Sequence, residues 1–219
     1  MGSSIDVDFI KIALRAKNII SRPRREWEEI AAEQTTVKKL YFEYFIPLLF
    51  VINAAAAALQ IVTQKNHARV GDWVISVILY TLTGVMLVAI SSGITALFTP
   101  KRDDGLETVQ RYKLIIYAST PYYLSKAFMP VLSGLADRFL FDRHSAFRPY
   151  VEHIGTPLYF LILGMPVIFT LYAVYLIYLG VPRVTGGSAT RIALFVPAAA
   201  LIISLAFALF MMAAAMSGP

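Results

Sequence analysis

The 219-residue chain contains no cysteine, and charged residues make up only 16% of it. The absence of cysteine excludes disulfides and thiolate chemistry. The sequence also contains no phosphate-binding glycine loop, nucleophile elbow, zincin helix or dinucleotide fingerprint. We therefore predict no catalytic residues, no metal site and no cofactor, and we expect that the protein is not an enzyme.

Apolar residues dominate what is present, at 58% of the chain. A helix needs about 20 apolar residues to cross the hydrocarbon core, where lipid offers no partner for backbone N–H and C=O groups. We predict an all-α polytopic integral membrane protein with five transmembrane helices, preceded by cytoplasmic amphipathic helices. The predicted spans are Tyr44 to Val62, Trp73 to Phe98, Leu114 to Leu135, Pro157 to Leu179 and Ile192 to Met212.

The basic residues are distributed unevenly between the two sides of these spans. Five spans place 14 Lys and Arg residues on the side of the N-terminus and five on the other side, and Lys126 lies within a span. The positive-inside rule then predicts a cytoplasmic N-terminus and an outside C-terminus. Topology and anionic lipid explain the net charge of +6, so we expect the lipid bilayer as a partner and no nucleic acid.

Residues 1–39 form a predicted segment of amphipathic helices, and residues 40–219 form the five-span domain. Apolar residues recur at helical spacing in residues 5–20, and Pro23 suits the first turn of a second helix. These helices can lie in the cytoplasmic interface, pack under the bundle, or do both. We predict four aromatic anchors at the interfaces, namely Trp27, Trp73, Tyr175 and Tyr178; a tyrosine-lined cavity facing Lys126 is the alternative for the tyrosines.

Lys126 lies near the middle of the third predicted span, where a lysine costs about 2.5–3.5 kcal/mol to insert. Residues on its helical face form a polar stripe, and two residues of span one fall at a similar depth and could supply acceptors. The resulting candidate intramembrane polar site comprises Lys126, Ser119, Tyr122, Tyr123, Asn53 and Gln60. It is either a site for an anion, a lipid headgroup or a proton, or a structural hydrogen-bond hub between spans.

Prolines are frequent within the spans, and each removes one backbone hydrogen-bond donor. We therefore predict kinked helices, with the kinks at Pro47, Pro121, Pro130, Pro166 and Pro197.

Three passages together resemble the Yip family of Ypt/Rab-interacting proteins, in particular its short bacterial branch. They are residues 22–30 (RPRREWEEI), residues 117–121 (YASTP) and residues 176–180 (LIYLG), the last followed by Arg183 and residues 188–191. The resemblance implies a membrane protein without known catalysis, in the bacterial cytoplasmic (inner) membrane. Eukaryotic members bind Rab-type GTPases, but this chain lacks their long N-terminal region and an Asp-Leu-Tyr-Gly-Pro run. We therefore do not expect GTPase binding.

Two functions follow from these observations. The first is a non-enzymatic protein that organises, assembles or accompanies other membrane components, with other membrane proteins or a second copy as partners. The alternative is a small transporter, a channel or a lipid-binding protein that uses the polar stripe around Lys126.

Overall fold

The computed structural model describes residues 7–63, 70–99, 106–136, 148–186 and 189–198. Within these ranges all regular structure is helical, as predicted. The elements are α1 (Phe9–Ser21), α2 (Pro23–Ala32), α3 (Val37–Lys39), a π-helical turn (Leu40–Phe45), α4 (Ile46–Thr63), α5 (Val70–Ala96), α6 (Leu106–Ala136), α7 (Arg148–Val184) and α8 (Ala189–Ala198).

The first two helices, which we call the N-terminal pair, lie against one end of the bundle. Asp8 begins α1, because its carboxylate accepts hydrogen bonds from the backbone N–H groups of Ile10 and Lys11, both at 3.0 Å. Pro23 stands in the first turn of α2, where its missing N–H costs nothing. The buried faces of the pair contact α6 and α7, so these helices do pack under the bundle.

The first helix of the bundle contains an unusual turn near its start. α3, the π-helical turn and α4 follow one another without a break, and the N–H of Ile46 bonds to the carbonyl of Tyr41, five residues earlier. Pro47 follows at once and has no N–H to donate. A π turn adds a residue to the helix just before this proline, which is a common way to accommodate a disturbed hydrogen-bond ladder.

Helix α6 is the centre of the bundle, because it packs against α4, α5, α7 and α1. Four of its described side chains are completely buried, namely Leu114, Ile116, Ala118 and Thr120. Beside it, α4 and α5 approach closely at Gly84, where a Cβ atom would lie 2.7 Å from Cδ1 of Leu49. Small residues at such crossings allow membrane helices to pack without a hydrophobic driving force.

Three stretches of helix are long and apolar enough to cross a membrane: Val37–Leu59, Trp73–Ala96 and Val167–Val184. They correspond to predicted spans one, two and four, with the first beginning seven residues earlier than predicted. Many of their large apolar side chains point away from the protein, such as Met86 and Leu171, each 63% exposed. In a bilayer these surfaces contact lipid, so the protein is a membrane protein.

The other two spans and the kinks remain predictions. Span three lies within the continuous helix α6, which carries the polar stripe and is less apolar than the three stretches above. Only residues 192–198 of span five lie in α8, and residues 199–212 are outside the described residues. The helices continue through Pro121, Pro130 and Pro166.

Several contacts show which helix ends lie together. The rings of Phe98, after α5, and Phe195, in α8, stack at 5.2 Å, and the Thr99 hydroxyl donates to Glu107 at 3.3 Å. The same end of the bundle receives the N-terminal pair.

Candidate functional site

Lys126, in the middle of α6, contacts two aromatic rings of its own helix. Its Nζ atom lies 5.1 Å from the ring centroid of Tyr122 and 5.5 Å from that of Tyr123. Such cation–π contacts partly replace the water that an ammonium group loses away from solvent. Within the described residues these contacts do not link Lys126 to another helix, so they do not support the hub interpretation.

The other residues of the polar stripe bond elsewhere. The Ser119 hydroxyl donates to the Ile116 carbonyl at 3.1 Å, within α6. The Tyr123 hydroxyl donates to the Gly84 carbonyl at 3.4 Å, which links α6 to α5. The Asn53 side-chain N–H donates to the Thr81 hydroxyl at 3.1 Å and so joins α4 to α5. The side chain of Gln60 is outside the described residues.

The four predicted interface anchors have different surroundings. Trp27 is only 1% exposed, because its indole packs against Gly180 of α7. The expectation that this ring contacts the lipid interface therefore does not fit its burial inside the protein. Tyr175 and Tyr178 are exposed on α7, where they can contact lipid, and Trp73 is half-buried near the start of α5.

A polar cluster lies between the N-terminal pair and the bundle, formed by Arg15, Glu26, Glu33, Lys113 and Tyr117. Arg15 forms ion pairs with Glu26 at 2.9 Å and with Glu33 at 3.5 Å. Burial lowers the pKa of Arg15, but Tyr117, Glu33 and Glu26 together raise this pKa above its ordinary value. Arg15 therefore remains charged, and its charge is compensated inside the protein.

Lys113 of α6 caps the C-terminal end of α2. Its Nζ atom donates to the Ile30 carbonyl at 2.9 Å and to the Glu33 carbonyl. The last carbonyls of a helix lack partners within the helix, and a cation placed there also complements the helix dipole. Burial lowers the pKa of Lys113, and the nearby Glu33 carboxylate partly opposes this shift.

The bundle also provides a hydrogen-bond donor to the C-terminal end of α1. The Tyr172 hydroxyl of α7 lies 2.8 Å from the Ile20 carbonyl and 3.4 Å from the Ile19 carbonyl, both in the last turn of α1. Side chains from two bundle helices, α6 and α7, thus satisfy the C-terminal carbonyls of both helices in the N-terminal pair. The pair is therefore an integrated part of the fold.

Tyrosines connect the polar cluster to the apolar core below it. The Tyr117 hydroxyl donates to Glu33 at 3.3 Å, and its ring lies 4.9 Å from the ring of Tyr44. The Tyr44 hydroxyl is in turn 3.1 Å from the Thr120 hydroxyl. This chain of contacts leads from charged groups at the end of the bundle, through the buried Tyr44 of the π-helical turn, to the completely buried Thr120 of α6.

Sequence reasoning missed this cluster. The sequence contained one usable signal, because Glu26, Ile30 and Glu33 share one face of the helical wheel in and just after α2. Carboxylates on an apolar face indicate buried partners. The identity of those partners could not be read from the sequence, because Arg15 and Lys113 lie far apart along the chain.

A cleft of about 340 Å³ opens beside the polar cluster, between α1 and the start of the first span. Charged side chains of both signs surround it, with tyrosine and leucine side chains also in its lining. The lining residues are Asp8, Lys11, Ile12, Arg15, Glu33, Thr35, Lys39, Leu40, Glu43, Tyr44 and Tyr117. Among the described residues no group of three or more His, Asp or Glu is placed to hold a metal ion.

Comparison with protein families finds a match to the Yip1 domain over residues 17–212. The chain belongs to the Yip1 domain family. Comparisons with curated proteins and with solved structures give no match. The Yip1 match covers the end of α1, from residue 17, and all of α2 to α8, so α2 and the bundle belong to one family domain.

In this Yip1 domain the three passages that carry the resemblance meet at one place. The passage at 22–30 forms α2, and its Trp27 packs against Gly180, the last residue of the passage at 176–180. The passage at 117–121 begins with Tyr117, which belongs to the polar cluster. The passages that carry the resemblance therefore contribute to the junction between the N-terminal pair and the bundle.

Proposed function

We propose that this Yip1 domain protein is a non-enzymatic membrane protein that assembles with other membrane components, and that the N-terminal pair provides its partner surface. The partner is another integral membrane protein or a second copy of the chain. The observation that carries this proposal is the way in which the pair is held against the bundle by its buried face while its outer face remains charged and exposed.

The outer face of α2 has the character of a recognition surface. Its exposed charged residues are Arg24, Arg25, Glu28 and Glu29. Arg25 and Glu29 form a surface ion pair at 3.2 Å, which contributes little to stability. Charges of both signs on a fixed backbone favour specific association over general attraction to anionic lipid.

We further propose that the domain has the five-span architecture, with residues 1–39 on the cytoplasmic side of a bacterial inner membrane and the C-terminus outside. The distribution of basic residues, 14 against five, supports this orientation. The exposed apolar residues of α1 also support a position of this helix near the membrane, because Phe9, Ile10 and Leu14 are each more than half exposed. Together with neighbouring lysines, they suit a helix that also touches the membrane surface.

Site-specific photocrosslinking in native membranes tests the proposed partner surface. A photoreactive amino acid at Glu29 should give discrete protein adducts, whose masses distinguish a second copy from another protein. The matched control carries the same group at Ile78, an exposed position on α5 that faces lipid. Lipid adducts alone at both positions would contradict the proposal.

The position of Lys126 favours a second function, that of a small transporter or a lipid-binding protein. A lysine in the middle of a long helix, with described contacts only to Tyr122 and Tyr123, is available to a passing anion or headgroup. Reconstitution in sealed vesicles tests this second function. An ion or lipid flux that Lys126→Met abolishes, while the folded protein is retained, would favour it over the assembly function.

A further inference from the structure

We place the cleft beside the polar cluster at the level of the membrane surface, because it adjoins the start of a candidate span. It is lined by α1 on one side and by the first turns of the candidate span Val37–Leu59 on the other. Lys39, Leu40, Glu43 and Tyr44 all lie within the first eight residues of that stretch. A residue at the start of a transmembrane helix faces the lipid headgroup layer, where the bilayer is polar.

Part of the charge around the cleft is already used by the protein. Arg15 forms ion pairs with Glu26 and Glu33. Glu33 also accepts a hydrogen bond from Tyr117, and one carboxylate oxygen of Asp8 caps α1. These groups hold the fold together and are not free to define a ligand.

Three charged side chains of the lining remain available. Lys11, Lys39 and Glu43 form no ion pair within the residues that the structure describes. Lys11 and Lys39 are exposed, and Glu43 is half-buried. The cleft thus offers two ammonium groups and one carboxylate, together with the remaining oxygen of Asp8.

We propose that this cleft binds the headgroup of an aminophospholipid, with the phosphate between Lys11 and Lys39 and the primary amine at Glu43. A phosphodiester accepts charge-assisted hydrogen bonds from lysine, and a primary ammonium donates them to a carboxylate. A purely anionic headgroup would place no cation against Glu43. A choline headgroup carries a quaternary amine, which has no hydrogen to donate.

A volume of about 340 Å³ is within the range of small-molecule sites and is large enough for a phosphoethanolamine group. The apolar surface beside the cleft favours a lipid over a soluble phosphate ester. Phe42 and Phe50 are exposed on the same continuous helix, and we expect the acyl chains to contact them. The proposal does not depend on the partner surface of α2.

Native mass spectrometry of the purified protein with phospholipids of identical acyl chains tests the proposal. The probes are phosphatidylethanolamine, phosphatidylcholine and phosphatidylglycerol. We expect phosphatidylethanolamine to be retained most strongly. Lys39→Gln should weaken its binding roughly tenfold, since a charge-assisted hydrogen bond is lost. Lys38→Gln is the matched control, because Lys38 is exposed beside Lys39 and does not line the cleft.

Glu43→Gln tests the amine side of the proposal separately. This variant should lose the preference for ethanolamine over choline while it keeps its affinity for the shared phosphate. Equal retention of the three lipids by the wild-type protein, or equal effects of Lys39→Gln and Lys38→Gln, would overturn the proposal. Binding of soluble glycerophosphoethanolamine as tight as that of the diacyl lipid would overturn the lipid as the source of the headgroup.

The proposed binding of a lipid headgroup is independent of the proposed assembly function. Failure of the lipid experiment leaves the protein adducts at Glu29 unaffected, and failure of the crosslinking experiment leaves the lipid preference unaffected. Thermal melting of each variant in detergent shows whether the fold is retained. Lys11, Lys38 and Lys39 are all exposed, so we expect no loss of folded protein from their replacement.

Discussion

The indole of Trp27 lies so close to the backbone of Gly180 that position 180 has no room for a residue larger than glycine. A Cβ atom at position 180 would lie 2.8 Å from Cζ2 of Trp27 and 2.7 Å from Cδ1 of Leu114. Trp27 belongs to α2, Gly180 to the end of α7 and Leu114 to α6. Three helices therefore meet at this glycine, through contacting residues that are far apart in the sequence.

This contact predicts that Gly180→Ala destabilises the protein although alanine favours helix formation. The rigid indole has nowhere to move, and overpacking of this kind costs about 1–3 kcal/mol. Thermal unfolding in detergent should show a lower midpoint for this variant. Gly93→Ala is the control, because a Cβ atom at Gly93 meets nothing within 4 Å. A midpoint as high for Gly180→Ala as for Gly93→Ala would contradict the tight contact between Trp27 and Gly180.

The buried ion pair between Arg15 and Glu26 predicts a large effect of Glu26→Gln. The Glu26 side chain is 4% exposed, and its removal leaves Arg15 with Glu33 alone. Breaking a buried pair costs roughly 3 kcal/mol or more. Hydrogen exchange of the α1 and α2 amides measures this as a lower free energy of local opening.

The exposed pair between Arg25 and Glu29 provides the comparison for that experiment. Both side chains are at least half exposed, so Glu29→Gln should change the opening free energy by about 0.5 kcal/mol or less. If the two glutamate variants behave alike, the polar cluster does not hold the N-terminal pair in place.

The two lysines of α6 should respond differently to replacement by methionine. Lys113→Met leaves two carbonyls of α2 without their donor, so the amides of α2 should exchange faster. Lys126→Met removes a cation that contacts only rings of its own helix within the described residues, so the melting temperature should not fall. A lower melting temperature for Lys126→Met would restore the interpretation of Lys126 as a hub.

The absence of native cysteine makes the orientation directly testable. A single cysteine that replaces Arg25, in the N-terminal pair, and one that replaces Gly71, at the start of α5, should react from opposite faces of sealed vesicles. Arg25 is expected on the cytoplasmic face. Labelling of both positions from the same face would contradict the predicted topology.

The sequence predicts the helices better than it predicts their contacts. Residues 5–20 predict an amphipathic helix, and Pro23 predicts where the next one begins, because both signals are local. The spans follow from the length of apolar runs, and three of them are confirmed as long apolar helices. Local signals of this kind need no knowledge of the rest of the fold.

The surroundings of individual side chains were harder to predict, because they depend on tertiary packing. Trp27 fits an interface anchor by residue type and position, yet its ring is inside the protein because Gly180 makes room for it. The sequence places Asn53 in the first span, but it does not indicate that the side-chain N–H of Asn53 donates to Thr81 of α5. In both cases the decisive neighbour lies in a helix whose crossing point the sequence does not specify.

The π-helical turn at Leu40–Phe45 sets how the N-terminal segment is rotated about the axis of the first bundle helix. Each residue of a helix turns the chain by about 100°. Deleting one residue from this turn would therefore rotate the segment on its N-terminal side by about a quarter of a turn around the helix axis. Lys39 would rotate away from the cleft, and α2 would no longer reach α7, so length variation is expected to be tolerated less here than in any loop.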